Sequence, residues 1–411
     1  MCLITVSLFK PIMQKTILFI PALLFAFACG SQQNGKHEIL QDTTKKDSMA
    51  IAAQNKPIHH PVNPELNDMA RYIAGMNIEP GSKLDASLLS DKDWVAYSKK
   101  LNAAFAKYDS VQLKKMKPWV ESELSGLKTK NLFYPFAGAD ILNAYTLFPN
   151  AQNYYMVGLE PVGTPPDLTK IQKQKDLTHY LNTVNQSLES IINFSFFRTK
   201  SMAVEFHQAD VNGTIHVLLL FLERTGNSII DIKPVAVNNK GELISYSSFK
   251  DAQKDSIKNK GAQIAFVSSD GTEHTVTYFS INLSNEFFPK NVGFKTFIKN
   301  QQADVTYVKS ASYLMHKAYF SDIRSTILTN SRAILQDDSG ISWKLFNDEA
   351  HTVTLYGAYT GTISIFPEYF QKDLDDAYKK EPGKSNVKPL PFGIGYKYLK
   401  GESNLMLSVK K

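Results

Sequence analysis

Apolar residues between positions 64 and 126 recur at steps of three and four, which is the spacing of one face of an amphipathic helix. The clearest such face consists of Trp94, Tyr97, Leu101 and Phe105. Asn63 followed by Pro64 is a typical helix start, because asparagine caps free backbone N–H groups and proline suits the first helical position. The pattern predicts a helical N-terminal section that breaks near Pro118 and stops at Gly126.

The pattern changes at position 131, where short apolar runs replace the helical spacing. Asn131–Pro135 and Tyr154–Leu159 are apolar enough to be strands buried on both faces. Ala139–Phe148, which lies between them, has helical character. A strand, a helix and a second strand in so short a stretch predict a parallel strand pair joined by a right-handed crossover.

Further along the chain, Asp167–Asn193 has the period of a long amphipathic helix. Leu218–Phe221 is the most apolar run of the folded part and is predicted to be a central strand. Alternating residues on both sides of Asp270 and Gly271 predict a hairpin, since Asp-Gly is a strong turn signal. The C-terminal half is therefore expected to be richer in strands than the N-terminal half.

These elements predict an α/β protein with a helical N-terminal section, a Rossmann-like βαβ core and a mixed-sheet α+β C-terminal section. A chain of 411 residues is long enough for two or three units of roughly 150 residues each. We expect a signal peptide over residues 1–28, a disordered tether over 29–62, a helical and Rossmann-like domain over 63–235, and a mixed α/β domain packed on it over 236–411.

The N-terminus carries the most specific signal in the chain. Lys15 precedes the apolar run Ile17–Ala28, which is too short to cross a hydrocarbon core of about 30 Å and therefore predicts a cleaved signal peptide. The residues Ala-Phe-Ala-Cys-Gly around Cys29 resemble a bacterial lipobox. This resemblance implies cleavage before Cys29 and acylation of its sulfur and new amino group. Since a signal that starts at Met13 is better formed, we expect Met13 to be the true start. The alternative is a plain secretory signal or an N-terminal anchor.

Acylation of Cys29 would hold the protein at a lipid bilayer, because each buried CH₂ group adds about 0.8 kcal/mol. In the lipoprotein family, glycine after the acylated cysteine, as at Gly30, favours the outer membrane. The predicted partner is therefore the bilayer, reached through Cys29. The predicted location is the bacterial cell envelope, with the outer membrane favoured and its face left open.

Bulk composition narrows the chemistry that we expect. Cys2 and Cys29 are the only cysteines and both precede the folded part, so we expect no disulfide or cysteine metal site there. The net charge of +7 is dispersed, and no arginine-rich or aromatic-interleaved nucleic-acid motif occurs, so no nucleic-acid partner is predicted. The histidines lack metal-ligand spacing. Neither a metal nor a cofactor is predicted.

The first candidate site lies in the βαβ segment. Sites for dinucleotides or S-adenosylmethionine need a glycine turn after the first strand and an acid at the end of the second, which binds ribose hydroxyls. Gly138 and Glu160 have these positions, twenty-two residues apart. The FAGAD turn has one glycine and looks like the GxG-type turn of class I methyltransferases, with Ala139 in place of the second glycine.

The charge of Asp140 distinguishes between the two possible ligands of this turn. Asp140 at the helix start would oppose a phosphate, an objection that applies to dinucleotides and not to S-adenosylmethionine. The alternative is a structural βαβ unit in which Asp140 caps the helix and Glu160 is paired at the surface.

The second candidate site is the QDDSG turn, which contains Asp337, Asp338 and Ser339. Adjacent carboxylates after a strand could bind a cation or act as acid and base. However, neighbouring strand residues point to opposite faces, and Asp-Ser-Gly is ordinary turn chemistry. A structural turn is therefore the alternative.

The segments FYPFAGADILNAYTLFPNA, GLEPVG, SASYLMH, QDDSGISW, PFGIGY and SNLML together resemble a family of uncharacterised bacterial envelope proteins with a YPFxGxD signature. The resemblance implies an envelope location and no particular activity. With Glu160 added from the spacing argument, the candidate ligand-binding residues are Tyr134, Phe136, Gly138, Asp140 and Glu160.

Two hypotheses about function follow. The leading one is a lipid-anchored binding or structural protein whose ligand and catalytic residues, if any, are unknown. The alternative is an enzyme with a methyltransferase-like or hydrolytic site near Gly138, Asp140 and Glu160. Nucleotide cofactors are scarce outside the cytoplasm, which weighs against the methyltransferase.

Overall fold

The computed structural model describes residues 60–78, 80–167, 177–194, 213–252, 254, 256–346, 349–380, 387–398 and 401–411. Residues 59–411 form one compact unit. The predicted signal peptide, Cys29 and most of the predicted tether lie outside the described residues, as does the start of the helix predicted from Asp167. Within the described ranges, no helix is both long and apolar enough to cross a membrane.

The helices of the described ranges lie mostly in the N-terminal half. They are α1 Pro64–Ile73, α2 Ala86–Ser90, α3 Lys92–Tyr108, α4 Lys114–Glu123, α5 Ile141–Leu147, α6 Leu177–Phe194, α7 Ile215–Arg224, α8 Phe249–Ala252, α9 Val292–Gln301, α10 Ser321–Asn330 and α11 Lys372–Tyr378. A π-helical turn, Asp109–Leu113, joins α3 to α4. Short 3₁₀ turns occur at Leu314–His316, Ala318–Phe320, Trp343–Leu345, Pro367–Tyr369 and Gly395–Lys397.

The strands form one sheet of eleven. They are β1 Asn131–Pro135, β2 Asn153–Gly158, β3 Ser228–Val237, β4 Leu243–Ser245, β5 Lys260–Val267, β6 Glu273–Ser280, β7 Val305–Val308, β8 Ala333–Gln336, β9 His351–Gly357, β10 Val387–Lys388 and β11 Asn404–Lys410. Their order across the sheet is β10-β9-β11-β8-β7-β1-β2-β6-β5-β3-β4.

The centre of the sheet is parallel and Rossmann-like. Strands β8, β7, β1, β2 and β6 are neighbours and all run in the same direction. In chain order these five strands read 3-2-1-4-5 from β6 to β8, which is the doubly wound arrangement. The chain reverses its direction of growth between β1 and β7, so this is the topological switch point, outside which ligands of such sheets bind. The predicted α/β class with a Rossmann-like core is confirmed.

Antiparallel strands extend both sides of this centre. On one side β5 pairs with β6 and β3, and β3 pairs with β4. On the other side β11 lies antiparallel between β8 and β9. The boundary predicted between residues 235 and 236 falls inside β3, and both predicted sections contribute strands to the same sheet.

The N-terminal helices form as their sequence predicts. Asn63 accepts hydrogen bonds from the backbone N–H groups of Glu65 and Leu66, and Pro64 is the first residue of α1. The predicted apolar face of α3 is buried against the rest of the protein. Its Trp94 ring stacks on Tyr72 of α1 with 5.4 Å between ring centroids, which ties the first helices together.

Two local predictions were wrong. Leu218–Phe221 lies in helix α7 and not in a central strand; the helix is buried on every side from Ile215 to Glu223. A helix without a polar face loses its periodic signature, so its sequence resembles a buried strand. The second error concerns Pro118, which lies inside α4 and does not break it. The π-helical turn directly upstream shifts the hydrogen-bond register before the proline.

Candidate functional site

The carboxyl ends of the five parallel strands meet at one edge of the sheet, where four of them border a cavity of about 740 Å³. This volume lies within the usual range of roughly 300–1,000 Å³ for sites that hold small molecules. The residues that follow β1, β2, β6 and β7 line it, together with Ile363–Phe366 and Tyr396 from the C-terminal part of the chain. All five predicted ligand-binding residues are in this lining: Tyr134, Phe136, Gly138, Asp140 and Glu160.

The turn after β1 has an unusual backbone. Phe136 and Gly138 both have positive φ, at 58° and 54°. The value is ordinary for glycine and strained for phenylalanine. The Ala137 N–H donates to the Val157 carbonyl of β2, so the turn is held against the neighbouring strand while Phe136 and Gly138 line the cavity.

Asp140 is the centre of a buried polar cluster. Its Oδ1 accepts hydrogen bonds from the backbone and side-chain N–H groups of Asn143, so Asp140 caps α5 as the structural alternative predicted. Its Oδ2 accepts a 2.9 Å hydrogen bond from the Tyr134 hydroxyl and lies 2.6 Å from Lys309 Nζ. The Lys309 and Asp140 side chains are each only 2% exposed. Asp140 is therefore both a helix cap and one half of a buried ion pair that faces the cavity.

Burial and the neighbouring Asp140 carboxylate raise the pKa of Tyr134 well above its ordinary value. The Tyr134 hydroxyl therefore stays protonated and remains a donor to Asp140. This fixed donor, the Asn143 amide and the Lys309 ammonium all lie against the Asp140 carboxylate. The cluster of Tyr134, Asp140 and Lys309 joins β1 to β7 across the switch point.

Glu160 lies at the end of β2 and is 1% exposed, so it is not paired at the surface as the structural alternative predicted. Its Oε2 accepts hydrogen bonds from the Leu159 N–H and from the Tyr278 hydroxyl of β6, at 3.1 and 3.0 Å. Its Oε1 accepts no hydrogen bond from any residue that the structure describes. Since Glu160 lines the cavity, that oxygen is available to a hydroxyl or amine of a ligand.

Gly158 makes room for this arrangement. A Cβ atom at position 158 would lie 2.3 Å from Glu160 Oε2 and 2.6 Å from the Tyr278 hydroxyl. It would also lie 3.2 Å from the Gly138 nitrogen. The absence of a side chain at Gly158 therefore lets the β1 turn and the Glu160 carboxylate approach each other.

The sequence did not predict the loop after β7, Lys309–Tyr313, as part of the site. Within it Ser310, Ser312 and Tyr313 have φ values of 50°, 52° and 53°. Each such residue costs of order 1–3 kcal/mol and persists only where its surroundings enforce it. Lys309, Ser310 and Ser312 line the cavity. The hints in the sequence were a short polar run directly after an apolar strand and the SASYLMH segment of the family resemblance, which begins at Ser310.

The second predicted candidate, the QDDSG turn after β8, holds this loop in place. Asp337 Oδ2 accepts a 2.8 Å hydrogen bond from the Ser310 N–H, and Ser339 Oγ accepts one of 2.8 Å from the Ala311 N–H. The Tyr396 hydroxyl accepts from the Ser312 N–H. Asp337, Asp338 and Ser339 are buried and do not line the large cavity. Asp337 and Asp338 border a void of about 10 Å³, which is room for about one water molecule.

The two acids of this turn influence each other. Burial and the charge of Asp338 raise the pKa of Asp337 to about 7, and burial raises the pKa of Asp338. Asp338 accepts hydrogen bonds from the Tyr313 hydroxyl and the Asn404 amide. The sequence argument that neighbouring residues point apart describes them well, because the two carboxylates serve different partners.

Two of the described histidines, His216 and His274, are buried scaffold residues. His216 lies between the Tyr180 hydroxyl and the Thr164 carbonyl, and burial lowers its pKa to about 4. His274 bonds to the Ala151 carbonyl. Among the residues that the structure describes, no group of three or more His, Cys, Asp or Glu side chains is arranged to hold a metal ion.

The cavity combines apolar walls with a few converging polar groups. Val157, Ile281, Leu283 and Phe320 contribute apolar surface, while Glu160, Asn282 and Lys309 contribute hydrogen-bonding groups. Leu159 and Ile365 line it and are 61% and 70% exposed, so they form part of its mouth. This composition is typical of a site that encloses a small organic molecule and orients it by a few polar contacts.

Comparisons of the chain with protein-family models, with curated proteins and with solved structures gave no match. The geometry of the cavity and the chemistry of its lining therefore carry the argument about function.

Proposed function

We propose that the folded body binds a small organic molecule of the nucleoside class in the cavity at the carboxyl edge of the sheet. The observation that carries this proposal is the convergence of the predicted residues. Residues that are dispersed between Tyr134 and Glu160 in the sequence line one cavity of suitable size, at the switch point of a doubly wound sheet.

The position of Glu160 supports a ligand with hydroxyl groups. An acid at the end of the second strand of such a sheet can accept hydrogen bonds from ribose hydroxyls, and Glu160 Oε1 accepts none from the described residues. Asn282 at the end of β6 offers further hydrogen-bonding groups. Because Lys309 already pairs with Asp140, the acid that disfavours a phosphate is Glu160, so a nucleoside fits the charges better than a nucleotide.

We place this binding protein at the bacterial cell envelope, with the bilayer as its partner through an acylated Cys29. The lipobox-like residues before Cys29 support this location. Replacement of Cys29 by alanine should move the protein from the membrane fraction to the soluble fraction. Mass spectrometry of the N-terminal peptide should show acyl groups on the cysteine; an unmodified peptide that begins upstream of Cys29 would contradict the location.

Thermal unfolding of the full protein in detergent tests the binding function. We expect adenosine or 5′-methylthioadenosine to raise the midpoint, since a ligand at 100 times its dissociation constant adds about 2.7 kcal/mol. AMP should bind more weakly because its phosphate adds negative charge to a cavity that already contains Glu160. Glu160→Gln should weaken the response to the nucleosides, because the amide is a poorer acceptor for hydroxyl groups.

A matched pair of glycine variants controls for general damage. Gly158→Ala places a methyl group against Glu160 and should abolish the nucleoside response, whereas at Gly126 a Cβ atom would meet nothing within 4 Å and Gly126→Ala should leave it intact. If no nucleoside shifts the wild type, or if Glu160→Gln responds like the wild type, the proposal is wrong.

An enzyme with a methyltransferase-like site is the second candidate. The observation that favours it is that Gly138 and Glu160 border the same cavity, as the turn and acid of an S-adenosylmethionine site would. Incubation with S-adenosylmethionine and an extract of envelope components should then release S-adenosylhomocysteine. A protein that binds nucleosides without this turnover has the binding function alone.

A further inference from the structure

We propose that Lys309 and Ser310 form a subsite for the carboxylate of an amino-acid group on the ligand. This inference deepens the proposed binding function, because it specifies a second part of the same ligand. It rests on polar atoms directly after β7 that have no hydrogen-bond partner among the described residues.

The ammonium of Lys309 has unused hydrogen-bonding capacity. Lys309 is 3% exposed, and its Nζ is enclosed. It lies 2.6 Å from Asp140 Oδ2 as an ion pair, yet it makes no aligned hydrogen bond to any described residue. A lysine ammonium carries three donors, and donors that lack acceptors in an enclosed site are costly. An acceptor that enters the cavity would remove this cost.

Ser310 offers a second group at the same place. Its Oγ is also enclosed and has no hydrogen-bond partner among the described residues, and Ser310 lines the cavity next to Lys309. The backbone there is strained, with φ of 50° at Ser310, and is held by Asp337. Strain that the surrounding structure enforces is typical of residues placed for a function.

The charges of the cavity define the class of ligand. Lys309 and Asp140 neutralise each other, and Glu160 adds one negative charge. A ligand with a carboxylate alone would increase the negative charge of the cavity, so its carboxylate must be accompanied by a cationic group. An α-amino acid, which carries both an ammonium and a carboxylate, meets this condition.

The spacing suits an extended molecule. Strands β7 and β2 are two strand positions apart, which is about 10 Å at the usual strand separation. Hydroxyl groups at Glu160 and a carboxylate at Lys309 would then be bridged by the apolar part of one ligand. The amino-acid group could belong to a free amino acid or be attached to a nucleoside.

Matched probes separate these sources. S-Adenosylhomocysteine and 5′-methylthioadenosine share an adenosyl thioether, and only the first carries the amino-acid group; methionine carries that group without the nucleoside. We expect S-adenosylhomocysteine to bind the full wild-type protein at least ten times more tightly than 5′-methylthioadenosine in calorimetric titration. If methionine alone binds and depends on Lys309, the natural ligand is a free amino acid and the subsite stands while the nucleoside proposal fails.

Two variants test the roles of the residues. Lys309→Met should remove the ten-fold preference for S-adenosylhomocysteine over 5′-methylthioadenosine. Ser310→Ala, whose removed hydroxyl has no partner in the described structure, keeps the test valid if Lys309→Met fails to fold, and it should reduce the preference several-fold. The carboxylate subsite is wrong if both variants keep the preference, or if neither S-adenosylhomocysteine nor methionine binds. Binding of 5′-methylthioadenosine that depends on Glu160 would in that case leave the proposed function intact.

Discussion

Two acidic clusters lie at the same edge of the sheet, and they differ in what they face. Asp140 and Glu160, which follow β1 and β2, line a cavity of about 740 Å³. Asp337 and Asp338, which follow β8, border a void of about 10 Å³. Both clusters come directly after buried strands in the sequence. The difference shows that an acid at a strand end becomes accessible to a ligand only where no distant segment packs over it.

The covering of the second cluster comes from residues far away in the sequence. Gly395, with φ of 73°, packs so closely on Asp337 that a Cβ atom there would lie 2.5 Å from Oδ2. The Asn404 amide and the Gln371 side chain bond to Asp338. The enclosed cluster therefore acts on the cavity indirectly, by fixing the backbone of the loop after β7.

Removal of Asp140 should have the largest effect on stability. Asp140→Ala leaves the Lys309 charge buried without its partner and removes the cap of α5, so we expect a loss of about 3–5 kcal/mol in the free energy of unfolding. The double variant Asp140→Ala with Lys309→Met should be more stable than Asp140→Ala, because the unpaired charge is gone. Urea unfolding of both variants and of Lys309→Met gives the coupling energy; simple additivity would show that the ion pair does not stabilise the fold.

Asp337 and Asp338, the enclosed cluster, should make the free energy of unfolding depend on pH. The pKa of Asp337 is raised to about 7 in the folded state, whereas an unfolded aspartate titrates near 3.9. The folded state therefore holds the proton more tightly, and this contribution to stability is full below about pH 4 and is lost as pH rises through about 7.

The free energy of unfolding should fall by at most about 1.4 kcal/mol for each pH unit. Asp338→Asn should reduce it, because the charge of Asp338 is the second cause of the raised pKa, after burial. Denaturant unfolding at several pH values from 5 to 8 measures the difference between the two proteins. Parallel curves for the wild type and Asp338→Asn would contradict the coupling between the acids.

Ser310 and Ser339, which follow the neighbouring strands β7 and β8, provide the comparison with the smallest expected effect on stability. Ser339 is fully buried and its Oγ accepts from the Ala311 N–H, so Ser339→Ala leaves a buried donor unsatisfied and should cost about 1–3 kcal/mol. The Ser310 hydroxyl has no partner among the described residues, so Ser310→Ala should change stability by less than about 0.5 kcal/mol. Equal losses in thermal or urea unfolding would mean that the Ser310 hydroxyl has a structural role.

The sequence was sufficient to predict the features that depend on the spacing of neighbouring residues. The cap at Asn63, the apolar face of α3 and the strand-helix-strand run around Gly138 all arise from the spacing of nearby residues. The positions of Gly138 and Glu160 at two adjacent strand ends followed from the parallel βαβ unit. Their convergence at one cavity was predictable for the same reason.

The sequence was insufficient where distant segments decide the outcome. Lys309 meets Asp140 because β7 lies next to β1 in the sheet, and nothing near position 309 in the chain indicates that neighbour. The enclosure of Asp337 by Gly395 depends on a contact across fifty-eight residues. Helix α7 was mistaken for a strand because its burial on all sides removed the polar positions that mark a helix.

The position of β11 has a consequence for how the chain reaches its native state. This strand forms seven residue pairs with β9 and four with β8. It therefore connects β9 and β10, at one end of the sheet, to the parallel centre. β8 and β9 do not pair with each other, so during synthesis each lacks this neighbouring strand until residues 404–410 have emerged. Loss of these few residues would leave two exposed strand edges, which are sites of aggregation.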